Sequence, residues 1–60
     1  MRLRDLEANM LAAEQVRYWL YMGLTYAEMI EAVTGKPQFH ATMAQAHKAI
    51  WKAWLEMEAV

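Results

Sequence analysis

The sequence predicts an all-α domain of three helices, with a short one between two long ones. Three observations carry this. Apolar residues recur at helical spacing, and no stretch alternates in the way a half-buried strand would. The 2 glycines and 1 proline fall at only two places, Gly23 and Gly35–Pro37, and cut the chain into helix-length segments. No repeat, linker or low-complexity tract interrupts those segments, and 60 residues leave room for one domain spanning 1–60.

The first helix is expected from about Leu3 to Met22. Gly23 suits the residue just past a helix end, where a left-handed backbone is needed, and Leu24 can then pack back on Trp19. Leu6, Met10, Ala12, Ala13, Val16, Trp19 and Leu20 form a broad apolar face. Leu11, Tyr18 and Met22 fall on a second flank, and only Glu7 and Glu14 mark a solvated stripe. A helix so widely apolar needs more than one packing partner.

The second helix lies within GLTYAEMIEAVTG, Gly23 to Gly35. Thr25 with Glu28 three residues later spells a capping box, and Leu24 with Met29 spells a hydrophobic staple. Tyr26, Met29, Ile30 and Val33 follow i, i+3, i+4, i+7 and predict one buried face, with Glu28 and Glu31 pointing out. Gly35 stops the helix.

The third helix begins between Pro37 and Thr42. Pro37 suits a first helical position, whereas Thr42 with Gln45 offers a second capping box. Phe39, Met43, Ala46, Ile50, Trp54 and Met57 are expected to form its core stripe. His40, Ala44, His47, Trp51 and Leu55 form a second stripe beside it, and the pattern continues almost to Val60.

Composition narrows the function classes. The apolar fraction is 58%, above the usual 45–50% or so, and a chain this small buries only about 60% of its unfolded surface. Self-association or a face reserved for a partner is therefore expected. Cysteine is absent, so no disulfide supports the core. Net charge is −1, with neither a polybasic nor an acidic tail. No apolar run approaches the ~20 residues of a membrane span, and no apolar block follows MRLRDLEANM as it would in a signal peptide. A cytoplasmic protein is expected.

A short capped helix, a glycine turn and a longer helix outline a helix-turn-helix at 25–55. LYMGLTYAEMIEAV, followed by ATMAQAHKAIWKAWLEM, resembles the helix-turn-helix of sigma-factor region four and related regulators. In that family a Gly-Leu-Ser/Thr-Tyr-x-Glu-Ile turn and short helix precede a recognition helix. Two departures stand out: VTGKPQFHAT is longer than the family's turn, and Ala41, Ala44 and Ala46 stand where arginines or lysines are usual. The resemblance implies a DNA-binding transcriptional regulator.

The residues themselves bear on that implication. Lys36, Lys48 and Lys52 lie in a stretch, 36–55, that contains no acid. Gln38, His40, Thr42, Gln45, Lys48 and Lys52 are the candidate DNA contacts, since glutamine can pair with adenine and lysine with guanine or phosphate. The bland alternative is the solvated side of a helix. Leu11, Tyr18 and Met22, with Trp51 and Leu55, are the candidate dimer or partner interface, tryptophan being enriched at interaction hot spots. His40 and His47, two turns apart, are about 10 Å from each other along a helix, too far for one metal ion. No catalytic constellation is present, and no cofactor is expected. The leading expectation is a homodimeric DNA-binding regulator. The alternative is a helical module that binds a larger protein through its aromatic surface.

Overall fold

The computed structural model describes residues 3–58 and contains three helices: α1 (Leu3–Tyr21), α2 (Tyr26–Thr34) and α3 (Met43–Glu58). The expected long–short–long order is what the chain adopts. Continuation of the last helix towards Val60 lies outside the described residues.

Each helix end follows from a local signal. At the end of α1, Gly23 has φ 91°. Its N–H donates to the Leu20 carbonyl at 3.0 Å, and the Leu24 N–H donates to the Trp19 carbonyl at 3.0 Å. These are the paired bonds of a Schellman ending. Helix α2 starts with the full capping box. The Glu28 N–H donates to Thr25 Oγ1 at 3.1 Å, and the Thr25 N–H donates to Glu28 Oε1 at 2.8 Å. Gly35, φ 84°, closes α2 by donating its N–H to the Glu31 carbonyl at 2.8 Å.

The start of α3 settles between the two positions the sequence allowed. The Gln45 N–H donates to Thr42 Oγ1 at 3.2 Å and the Thr42 N–H donates to Gln45 Oε1 at 2.8 Å. Thr42 is the cap, and Pro37 is not a helical residue but part of the connection 35–42. The reciprocal pair satisfies two backbone donors at once, whereas a start at Pro37 would carry no such bonds.

Both α1 and α2 pack on α3, while α1 and α2 barely touch each other. The core is built from Ala12 and Val16 of α1, Met29 and Ile30 of α2, and Ala46 and Ile50 of α3. Trp19, Leu24, Tyr26, Val33 and Trp54 close around it. Ala8, absent from the expected apolar face, is fully buried. Ala8, Ala12 and Ala46 are all fully buried, so small residues as well as large ones fill the interior.

The same geometry corrects several expected core positions. Leu6, Met10 and Leu20 of α1 are exposed, because α3 is the one long partner of α1 and covers a single side of it. Met43 and Met57 of α3 are exposed as well. They lie in the terminal turns of α3. Phe39 precedes the helix altogether and is 83% exposed. His40 likewise lies in the connection and shares no helix face with His47.

Candidate nucleic-acid interface

The surface begins in the connection 35–42. Thr34 ends α2 by donating its hydroxyl to the Ile30 carbonyl at 2.7 Å and accepting from the Lys36 N–H at 3.3 Å. From there the chain runs exposed through Lys36, Pro37, Gln38, Phe39 and His40. His40 has φ 58°, a left-handed conformation that non-glycine residues rarely adopt. It reverses the chain just before the cap of α3.

All six candidate contacts are solvent-exposed: Gln38, His40, Thr42, Gln45, Lys48 and Lys52. They do not form one continuous helix face. Gln38 and His40 belong to the connection, Thr42 and Gln45 to the cap, and Lys48 and Lys52 to successive turns of α3, about 6 Å apart along the axis. Thr42 and Gln45 are tied to each other's backbone, so each keeps only part of its hydrogen-bonding capacity for a ligand. Gln45 retains its NH2 donors, and Thr42 its hydroxyl hydrogen. Small, exposed Ala44 lies one turn before Lys48. The connection 35–42 is longer than the three or four residues of a helix-turn-helix turn.

The candidate dimer or partner residues divide into two groups. Leu11 and Tyr18 on one flank of α1, and Met22 one residue past its end, are 41%, 57% and 58% exposed. Trp51 and Leu55 are half-buried, and Trp51 packs against the core. Trp51 also stacks on His47, with ring centroids 6.3 Å apart and planes 18° from parallel. Its indole N–H is buried without a hydrogen-bond partner among the described residues.

His47 makes a polar link between the two long helices. Its Nε2 lies 3.2 Å from the backbone carbonyl of Asn9. A carbonyl only accepts, so Nε2 carries the hydrogen and donates. Sequence spacing alone gave no sign of this bond, since Asn9 and His47 are far apart in the chain. Among the described residues no group of three or more His, Cys, Asp or Glu side chains could hold a metal ion. No helix among them is long and apolar enough to cross a membrane.

Fold and surface together define a small all-α protein with α3 at its centre, one outward face of α3 lysine-bearing and one flank of α1 apolar. No protein family, no curated protein and no solved structure matches the chain.

Proposed function

We propose that the protein is a small DNA-binding regulator that acts as a homodimer. The observation that carries this reading is the placement of α3. Its inner sides rest on α1 and α2, and its remaining side carries exposed Gln45, Lys48 and Lys52 in a stretch of chain without acids. A recognition helix held by two supporting helices presents its outer face to the major groove in the same manner. Three lysines per chain give a thin electrostatic contact. A dimer doubles that number to about the six phosphate contacts at which DNA affinity becomes strongly salt-dependent.

The test is fluorescence anisotropy on labelled double-stranded DNA at low salt. The wild type should bind, and Lys48→Glu with Lys52→Glu should abolish binding while helicity by circular dichroism is unchanged. Neutralising one lysine that touches a phosphate removes a contact from each subunit of the dimer and should lower the salt slope by about two. A wild type that binds no DNA at low salt refutes this reading.

The second reading is a helical module that binds another protein. The exposed row Leu11, Tyr18 and Met22 favours it, as do the aromatic side chains of Tyr21 and Phe39 held in solvent. Binding through that surface would vary little with salt, in contrast to binding through lysines.

A further inference from the structure

A second feature is independent of DNA. Between α1 and α3 runs a groove of about 470 Å³ lined by Ala13, Val16, Arg17, Leu20, Met43, Ala44 and His47. That volume falls within the roughly 300–1,000 Å³ of small-molecule sites. Ala13 and Ala44 are small and leave the space open, while Leu20 and Met43 stand half out of the protein along the groove. The lining is apolar except for two residues, Arg17 and His47, and no acid takes part in it.

Arg17 is exposed and makes no ion pair or hydrogen bond among the described residues. Its guanidinium therefore stands uncompensated beside an apolar trough. His47 uses Nε2 on the Asn9 carbonyl and leaves Nδ1 without a bonded partner among the described residues. Arg17 is the permanently charged side chain of the lining, so it sets the charge of the occupant. A guanidinium matches a carboxylate through paired N–H donors, and a lysine would not.

We infer that this groove is a binding site for a small amphipathic carboxylate, a molecule with an apolar body of several carbons and one anionic head. The apolar body lies along Ala13, Val16, Leu20, Met43 and Ala44, and the carboxylate pairs with Arg17. The two walls come from α1 and from the first two turns of α3, so an occupant bridges the two helices that His47 already links. This inference does not depend on the DNA reading. Its site shares none of the six candidate DNA contacts.

The test uses sodium octanoate as the probe and octan-1-ol as the uncharged control, followed by backbone amide NMR shifts of the intact chain. Octanoate should shift Ala13, Ala44 and His47 saturably, and should bind roughly fivefold tighter than octan-1-ol, the increment expected of one partly exposed ion pair. Arg17→Gln, at an exposed position, should remove that preference, so that the two probes bind alike. Ala44→Trp should fill the groove and abolish both, with circular dichroism confirming its helices. Equal affinity for the two probes overturns the inference, as do shifts confined to Leu11, Tyr18 and Met22. Retention of the octanoate preference in Arg17→Gln overturns it as well, whatever the fate of Ala44→Trp.

Discussion

At the scale of single residues, backbone conformation and capping dominate. A Cβ added at Gly35 meets no atom within 4 Å, so substitution there acts through the left-handed backbone alone. Gly35→Ala should cost about 1–2 kcal/mol, and Gly35→Val more, because a β-branched side chain tolerates that conformation least. Thr25→Ala removes one half of the α2 capping box and should cost ~1 kcal/mol. Urea melts of the single variants check these values. Glu28 adds a pH dependence. Hydrogen bonds from the backbone and then the side chain of Thr25 hold its carboxyl below its ordinary value. A carboxyl lowered on folding contributes stability that is fully present above the ordinary glutamate value and is lost as pH falls through the folded one. Acidification from pH 6 should therefore destabilise the wild type more than Glu28→Gln, which keeps a side-chain oxygen for the Thr25 N–H but does not titrate. Identical pH profiles for the two chains would show that the box has no ionic component.

At the scale of elements, the two ends of the 35–42 connection make a sharp comparison. Thr42→Ala should cost ~1 kcal/mol by uncapping α3, whereas Pro37→Ala should change stability by less than about 0.5 kcal/mol, as for a surface site without a special role. Equal effects in thermal melts would contradict the observed start of α3. Most helix boundaries were legible in the sequence because they are written locally: Gly23, Thr25 with Glu28, and Gly35 each carry their own geometry, whereas at the start of α3 Pro37 and the Thr42–Gln45 pair were competing local signals that only the fold decided between. The buried faces were less legible. Met29, Ile30, Ala46 and Ile50 followed from periodicity, but Leu6, Met10, Met43 and Phe39 did not behave as their hydropathy suggested. Periodicity shows which side of a helix is apolar, and it does not show how far along that side a neighbour reaches. Ala8 escaped notice because so small a side chain adds little to the apolar pattern of a helix, although it is fully buried. Of the candidate surface, the exposure of the six polar residues was legible. The left-handed turn at His40, the His47–Asn9 bond and the groove beside Arg17 required the fold, because each depends on the packing of α3 or on the path of the connection.

At the scale of the whole molecule, stability rests on a small set of side chains. Ile50 is fully buried at the meeting point of all three helices. Ile50→Ala should cost about 2–5 kcal/mol, a large part of the ~5–15 kcal/mol that folded domains possess, and should leave the chain largely unfolded at 37 °C by circular dichroism. Self-association is the other whole-molecule expectation. At roughly 25 cal/mol per Å², covering a few hundred Å² of the Leu11, Tyr18 and Met22 flank favours a dimer by several kcal/mol before association costs. Sedimentation at micromolar concentration should give about twice the 7.0 kDa chain mass, and Leu11→Glu with Tyr18→Glu should return the chain to monomer without loss of helix. Trp51 is a poor choice for this test because it packs on the core. A wild-type monomer at those concentrations would leave the flank for a different protein.

The central position of α3 has a consequence for how the protein comes into being. Ribosomes release a chain from its N-terminus, so α1 and α2 emerge first, and the surface that both rest on emerges last of the three. Until then neither long-range contact can form, and α1 and α2 barely touch each other. The 9-residue α2 is below the length of about 12–15 residues at which a helix is marginal alone, and the 19-residue α1 still lacks the packing from which most helical stability comes, so both must wait with their apolar faces uncovered. A chain ending at Thr42 should show no cooperative melt, and a chaperone that masks apolar helices during synthesis should raise the yield of this protein more than that of one whose first two helices pair directly.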